Sequence, residues 1–187
     1  MIRYASVISL PNIRLYFPRE KFSKEYLLIA GGRPPAVSWL QDAAADRVVY
    51  CIDHGADVCR AANLTPSFFI GDCDSVSADT LQWIRSLNVD FIQFPTEKDK
   101  TDTQLALDRF KNEQDIFVIM TGGFGGRFDH LSAFCIRLQE RRFMAVSRMS
   151  WNSCLFFATR KQPSWNCKPL QRLFRSFLSP RNAPVFT

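Results

Sequence analysis

Short apolar runs, each followed by a turn rich in glycine or aspartate, repeat along the chain from Tyr26 onwards. Runs of this length between turn residues are typical of strands that are buried on both faces of a sheet. The pattern predicts strands at residues 26–30, 47–52, 67–70, 89–94 and 115–120.

Apolar residues at helical spacing occupy the segments between these runs. Pro34 fits the first turn of a helix over 34–45, and Thr101 with Gln104 has the spacing of a capping box at the start of another. Helices are predicted at 34–45, 55–62, 77–87, 101–111 and 128–140.

Strands that alternate with helices at short intervals predict βαβ units and a mostly parallel sheet. We therefore expect an α/β domain over 26–142, with a Rossmann-like three-layer arrangement of helices flanking the sheet. Residues 1–25 have a mixed pattern and are treated as an N-terminal extension. After residue 142 the periodicity is lost and prolines recur, so we expect an irregular basic tail over 143–187.

The net charge of +6 is concentrated in this tail. Residues 141–187 contain nine Lys and Arg and no Asp or Glu, which leaves 15 basic and 18 acidic residues in 1–140. A body that bound nucleic acid nonspecifically would need a basic face of its own, so nucleic acid is not an expected partner.

Cysteine spacing and hydropathy add two exclusions. The six cysteines form no CxxC pair and only two histidines are present, which argues against a zinc site. We find no secretory signal and no run of about 18 apolar residues that could span a membrane. A cytoplasmic protein with reduced thiols is the expectation.

The first candidate for chemistry is the segment 71–75, Gly-Asp-Cys-Asp-Ser, directly after a predicted strand. Asp72 and Asp74, two positions apart, can converge on one hard cation such as Mg²⁺, which takes carboxylate and phosphate oxygens. The structural alternative is a helix-capping turn, in which Asp and Ser are also favoured.

The second candidate is the segment 98–102, Lys-Asp-Lys-Thr-Asp, which follows another predicted strand. Asp99 and Asp102 supply two further carboxylates, and Lys98 and Lys100 can reach phosphate oxygens. The alternative, a solvated charged loop, is weakened because ligands of parallel sheets bind outside the carboxyl ends of the strands.

The third candidate is a glycine loop over 122–126 that continues as Arg-Phe-Asp-His over 127–130. Backbone N–H groups of such a loop can form an anion nest, and Arg127 is a fork-shaped phosphate donor. Together the three segments predict a site for a divalent metal and a nucleotide polyphosphate.

These motifs resemble those of the thiamin pyrophosphokinases (thiamin diphosphokinases), over roughly 26–140. The order and spacing of the motifs match that family's nucleotide-binding domain. The segments that carry the resemblance are Ile-Ala-Gly-Gly (29–32), Asp-His-Gly-Ala-Asp (53–57), Gly-Asp-Cys-Asp-Ser (71–75), Lys-Asp-Lys-Thr-Asp (98–102) and Gly-Gly-Arg-Phe-Asp-His (125–130).

The resemblance implies transfer of the diphosphate of ATP to the hydroxyl of thiamin, giving thiamin diphosphate and AMP, with Mg²⁺ as the metal. The catalytic residues implied are Asp72, Asp74, Asp99, Asp102 and Arg127, of which the four aspartates are also the implied metal ligands. The ATP- and substrate-binding residues implied are Gly31, Gly32, Asp53, Gly55, Ser75, Lys98, Thr101, Gly125, Gly126, Asp129 and His130.

Two departures from the family stand out. His54 occupies a position where the family usually has Gly, and its ring has the bulk to crowd a nucleotide. The family's second domain, a small β-sandwich that completes the thiamin pocket and helps to form a homodimer, is not recognisable in 141–187. We expect that domain to be missing or altered in this chain.

The motifs leave two other functions open. One is a diphosphotransferase of the same broad fold that acts on a pterin alcohol. The other is a catalytically inactive nucleotide-binding protein whose basic tail binds nucleic acid or an acidic membrane.

Overall fold

The computed structural model describes residues 6–11, 13–17, 22–113, 115–123, 143–150 and 153–160. The strands are β1 (Ser6–Leu10), β2 (Ile13–Phe17), β3 (Lys24–Ile29), β4 (Val48–Ile52), β5 (Phe68–Gly71), β6 (Asp90–Gln93), β7 (Ile116–Thr121), β8 (Phe143–Ser150) and β9 (Ser153–Arg160). The helices are α1 (Val37–Ala44), α2 (Gly55–Ala61), α3 (Ala78–Ser86) and α4 (Asp102–Asp108), and α4 continues into a 3₁₀ turn at Arg109–Asn112.

The main sheet has the strand order β6-β5-β4-β3-β7-β9-β8. The first five strands in this order are parallel to one another, and β9 and β8 complete the sheet with antiparallel pairing. The predicted α/β class with a mostly parallel sheet is therefore confirmed.

Each central strand contributes to a hydrophobic core on both faces of the sheet. In β3, Leu27 and Ile29 pack in the cluster that contains Leu40 of α1 and residues of α2. Tyr26 and Leu28 pack in the second cluster, with Leu107 of α4. This alternation is what period-two side chains on a doubly covered strand require, and it explains why the strands appear in the sequence as continuous apolar runs.

The N-terminal residues differ from the predicted extension, because β1 and β2 form an antiparallel hairpin. Ile8, Leu10 and Phe17 are buried in the same cluster as Leu27 and Ile29, so the hairpin belongs to the layer of α1 and α2. Its apolar alternation is only five residues long and ends at Pro11, which is why the sequence pattern did not reveal it.

Residues 143–150 and 153–160 also differ from the predicted irregular tail. The backbone of β9 pairs with β7, with Val118 opposite Ala158, and β8 pairs with β9, with Ser150 opposite Ser153. Residues 147–153 mix Ser, Asn and Arg148 with Met149 and Trp151 between the apolar residues 143–146 and those at 154–158, and this mixture obscured the two strands. The predicted helix at 128–140 and the remainder of the predicted tail, 161–187, lie outside the described residues.

None of the helices in the described part of the chain has the length and apolar character that crossing a bilayer requires.

Candidate functional site

A cleft of about 640 Å³ lies at the carboxyl ends of the parallel strands. Its walls come from the segments that follow β3, β4, β5, β6 and β7. This is the edge of a parallel sheet at which ligands bind, and the cleft lies where the order along the sheet changes direction between β3 and β7. Position alone therefore marks it as the candidate site.

Three aspartates form an acidic cluster beside this cleft. Asp53, Asp72 and Asp74 each place one carboxylate oxygen within 4.8 Å of the others. Asp53 follows β4 and its backbone N–H donates to the carbonyl of Ile70 in β5 at 2.9 Å. Asp72 and Asp74 follow β5, so the lateral pairing of β4 and β5 brings the three carboxylates together.

The hydrogen bonds of the cluster leave one buried oxygen unsatisfied. The hydroxyl of Ser75 donates to Oδ2 of Asp53, and the backbone N–H of Asp74 donates to Oδ1 of Asp72 at 3.3 Å. Oδ1 of Asp53 is buried and has no hydrogen-bond partner among the described residues. A buried polar atom without a partner is energetically unfavourable and suits a ligand that binds there.

The protonation of Asp72 and Asp74 is linked. The hydrogen bond that the Asp74 side chain shares with Asp72 raises the pKa of Asp74, and burial and the neighbouring carboxylates add to the effect. Burial would raise the pKa of Asp72, but hydrogen bonds from Lys98 and Asp74 outweigh it and hold that pKa below its ordinary value. Carboxylates this close cannot easily all be charged without a cation.

The donor set fits a hard divalent cation. Mg²⁺ takes oxygen ligands and is usually held by one or two carboxylates together with substrate phosphates and water. The converging carboxylate oxygens of Asp53, Asp72 and Asp74 and the unsatisfied Oδ1 of Asp53 meet this requirement. The described residues therefore contain a site that could hold Mg²⁺.

Lys98 connects the cluster to the segment after β6. Its Nζ lies 2.9 Å from Oδ2 of Asp72 and 3.1 Å from Oδ1 of Asp102, and it donates to the carbonyl of Pro95 at 3.1 Å. Burial would lower the pKa of Lys98, but the hydrogen bonds to the two aspartates outweigh it and raise that pKa. Lys98 is thus a fixed positive charge within an acidic site.

Asp102 is the second aspartate that Lys98 contacts. Burial raises the pKa of Asp102, and the charge of Lys98 reduces this shift without cancelling it. A carboxylate with a raised pKa is a stronger base than an ordinary one. Asp102 is therefore suited to accept a proton.

Thr101 begins helix α4 through the predicted capping box. Its Oγ1 accepts from the N–H of Gln104 at 3.2 Å, and its own N–H donates to Oε1 of Gln104 at 2.9 Å. Because the hydroxyl oxygen accepts in this motif, its proton is still available for a ligand. Asp99 is exposed and lines the cleft, while Lys100 pairs with Asp108 at 2.7 Å.

The structure brings most of the described candidate residues to one place. The cleft is lined by Gly31, Gly32, Asp53, Asp72, Ser75, Lys98, Asp99, Thr101 and Asp102. Asp74 belongs to the acidic cluster, and Gly55 is buried at the first position of α2. Gly125, Gly126, Arg127, Asp129 and His130 lie outside the described residues.

Two residues of the site, Asp53 and His54, have features that the sequence did not predict. The sequence assigned Asp53 to the nucleotide side, whereas the structure places it in the acidic cluster. The signal was present, because Asp53 also directly follows a strand. His54 lines the cleft with an ordinary helical φ of −52°, and the left-handed residue of this turn is Asp53, with φ 46°.

A known protein family matches the part of the chain that contains this site. A family model described as thiamin pyrophosphokinase, catalytic domain, matches residues 41–145, more than half of the chain. No curated protein sequence matches this chain. The residues that the family model matches include Asp53, the segments 71–75 and 98–102, and the glycine loop.

Solved structures share the fold. A thiamine pyrophosphokinase from Bacillus subtilis is similar with a TM-score of 0.54 and 24% identity, over 65% of this chain and 59% of that one. A thiamin pyrophosphokinase from Geobacillus thermodenitrificans gives 0.51 and 18%, over 75% of this chain and 99% of that one. One from Candida albicans gives 0.51 and 18%, over 63% of this chain and 53% of that one.

The chain thus spans little more than half the length of the Bacillus subtilis and Candida albicans proteins. Identities this low support the fold alone, and the family assignment rests on the matched catalytic-domain model. By that match, the chain belongs to the thiamin pyrophosphokinase catalytic-domain family.

Proposed function

We propose that this chain is a Mg²⁺-dependent diphosphotransferase that transfers the diphosphate of ATP to the hydroxyl of thiamin, giving thiamin diphosphate and AMP. The observation that carries the proposal is the cluster of Asp53, Asp72 and Asp74 beside Lys98 in a cleft at the carboxyl edge of the sheet. Family membership directs the choice of acceptor to thiamin.

In this proposal Asp53, Asp72 and Asp74 hold the metal. Bound Mg²⁺ supplies neutralisation of the polyphosphate charge and orientation of its oxygens. Asp99 and Asp102, which were also predicted as metal ligands, line the same cleft from the segment after β6 and complete the acidic side of the site.

Lys98 and Thr101 are the proposed phosphate contacts. The ammonium of Lys98 can donate to a phosphate oxygen in exchange for one of its two aspartate partners, and the hydroxyl of Thr101 retains a proton to donate. Phosphoryl transfer depends mainly on positioning and on charge stabilisation, and fixed donors of this kind provide both. Arg127 stays a predicted contact to the transferred group.

Asp102 is the proposed proton acceptor for the attacking hydroxyl. Burial raises its pKa, which favours proton uptake, and Lys98 at 3.1 Å holds its carboxylate in place. The expected order is that the alcohol binds in line with the β-phosphorus, Asp102 orients its hydroxyl and takes its proton, and AMP leaves on the opposite side.

The direct test is to incubate the full chain with ATP, Mg²⁺ and thiamin and to measure AMP and thiamin diphosphate. Equal amounts of both products support the proposal. Binding of ATP without product would contradict the enzymatic activity and leave a nucleotide-binding protein, and turnover of a pterin alcohol in preference to thiamin would reassign the substrate.

The metal assignment has its own test. Asp74→Ala should abolish Mg²⁺-dependent ATP binding in titration calorimetry, because it removes one of three converging ligands. Asp79→Ala is the matched control, since Asp79 is an exposed aspartate in the first turn of α3. Equal ATP binding by both variants would show that the metal lies elsewhere.

A further inference from the structure

His54 is held at the edge of the cleft by two neighbouring segments. Its Nδ1 lies 3.1 Å from the carbonyl oxygen of Ser75 and 3.0 Å from Oδ2 of Asp57. The Asp57 carboxylate is itself fixed, because it accepts from both the backbone N–H and the hydroxyl of Ser77. The ring therefore has a defined position and does not swing freely into the cleft.

Gly31 leaves room for the side chain at position 54. A Cβ at Gly31 would lie 2.6 Å from the Cβ of His54, so residue 31 must lack a side chain if residue 54 carries one. Gly31 therefore allows the Cβ and backbone of His54 to lie close to the segment after β3.

The two partners of Nδ1 determine which ring nitrogen carries the proton. A carbonyl oxygen and a carboxylate oxygen can only accept hydrogen bonds, so Nδ1 must be the donor to either of them. In the neutral ring, Nε2 is then an acceptor. The described part of the chain offers Nε2 no partner, and the side chain is 49% exposed where the ring lines the cleft.

The strand order separates His54 from Lys98 and Thr101 by the acidic cluster. The segments around the cleft follow the order of their strands, β6, β5, β4, β3 and β7. Lys98 and Thr101 follow β6, the acidic cluster follows β5 and β4, and His54 stands between the end of β4 and Gly31 after β3. A ligand whose polyphosphate contacts Lys98 and the cluster extends from there towards His54, and phosphate oxygens cannot donate to an acceptor Nε2, so the group that meets it is a donor on the organic part of the ligand.

We infer that His54 is a specificity-determining residue whose Nε2 accepts a hydrogen bond from a hydroxyl or amino group on the organic end of the bound ligand. The inference rests on the proposed function, because that function supplies the polyphosphate that fixes the orientation. The donor group belongs either to the nucleoside of ATP or to the alcohol substrate. Asp57 and the Ser75 carbonyl act as positioning groups for the ring.

Nitrogen-15 NMR tests the proton placement directly, because the chain has only two histidines. The neutral His54 ring should show a protonated Nδ1 and an unprotonated Nε2, and the Nε2 resonance should shift when ATP with Mg²⁺, or thiamin, is added. The spectrum of His54→Asn identifies the resonances by their loss. A protonated Nε2 in the neutral ring, or no shift with either ligand, would overturn the inference.

Two substitutions separate the role of Nδ1, which contacts Ser75 and Asp57, from the role of Nε2, the proposed ligand contact. In His54→Asn, the amide nitrogen can replace Nδ1 towards Ser75 and Asp57, but the acceptor at Nε2 is lost. His54→Gln can place an amide oxygen near the position of Nε2. Loss of one hydrogen bond to a ligand weakens binding by about 3- to 10-fold, so we expect that loss in the Asn variant and a partial recovery in the Gln variant.

The ligand panel identifies the source of the donor. For the full chain and both variants, we would measure the Kd of ATP and of tripolyphosphate, each with Mg²⁺, and the KM of thiamin. A change for ATP alone assigns the nucleoside, and a change for thiamin alone assigns the alcohol. Unchanged values for both, or an equal loss for tripolyphosphate, would refute the inference while ATP binding by the unmodified chain preserves the proposed function. No binding of ATP by the unmodified chain would overturn both.

Discussion

Replacing Lys98 by methionine tests the electrostatic balance of the site. Lys98 is the cation between Asp72 and Asp102, whose side chains are only 9% and 19% exposed. Lys98→Met keeps most of the apolar stem and removes the charge, so two largely buried carboxylates lose their counter-ion. A carboxylate left without its partner in such a place is strongly unfavourable.

The size of the effect follows from the burial of the three groups. Removing one partner of a fully buried ion pair costs about 3–5 kcal/mol, and a hydrogen bond to a charged group contributes about 1.5–3 kcal/mol. Because water reaches the edge of this cleft and Asp102 can take up a proton, we expect a loss of about 2 kcal/mol. For a chain of this size that corresponds to a Tm about 4–8 °C lower.

Lys100→Met is the matched control in the same segment. Lys100 also pairs with an aspartate, Asp108, but its side chain is 43% exposed. Exposed pairs contribute about 0–1 kcal/mol, so this variant should unfold close to the temperature of the unmodified protein.

The assay is thermal and urea unfolding followed by circular dichroism, first without divalent cations and then with increasing Mg²⁺. Mg²⁺ should stabilise Lys98→Met more than the unmodified protein, because the ion replaces the missing charge. Adding Asp72→Asn to Lys98→Met should restore part of the stability. If Lys98→Met is no less stable than Lys100→Met, the ion pairs of Lys98 with Asp72 and Asp102 do not stabilise the folded protein.

Two further changes test the backbone and the support of His54. Gly55→Ala should lower the stability by about 1–3 kcal/mol in urea unfolding, because its Cβ would lie 1.9 Å from the carbonyl oxygen of Ile29; unchanged unfolding would contradict this contact. Burial would raise the pKa of Asp57. Hydrogen bonds, chiefly those from Ser77, outweigh burial and hold that pKa below its ordinary value. A carboxylate whose pKa is lower in the folded state than in the unfolded state stabilises the protein at pH values above its unfolded-state pKa of about 3.9. This stabilisation is lost as the pH falls through the folded-state pKa. The unmodified protein should therefore be more stable than Asp57→Asn at pH 6, and this difference should shrink below about pH 4; a difference independent of pH would refute the role of the carboxylate charge.

The parallel strands were predictable because burial on both faces imposes a simple composition. β3 is an example, since Leu27 and Ile29 face one core and Tyr26 and Leu28 face the other. Such a strand has no solvent-facing position, and its sequence is a continuous apolar run between polar turns. The rule that ligands bind at the carboxyl ends of parallel strands then placed Asp72, Lys98 and Asp102 at one edge.

Lateral neighbours were harder to predict than the strands themselves. Asp53 joins Asp72 because Ile52 pairs with Ile70 across β4 and β5, and a register between strands is not encoded in the pattern of either strand alone. The hairpin of β1 and β2 escaped prediction for a related reason. Its alternation of apolar and polar residues is too short to identify a strand by itself, and only the packing of Ile8 and Phe17 in the core shows that these residues form one.

The insertion of β7 next to β3 has a consequence for the order in which the molecule is built. The contact between Ser23 and Asp115 at the start of this pairing joins residues 92 positions apart, and long-range pairings of this kind form late because closing the intervening chain is entropically unfavourable. At the other end, Gly32 donates to the carbonyl of Gly122 at 2.8 Å, which joins two walls of the cleft. A chain that has been synthesised only as far as α4 carries the acidic cluster and Lys98, yet it lacks the strand that closes the cleft around them. Binding competence should therefore arise in one late step of folding, when the fifth parallel strand enters the sheet.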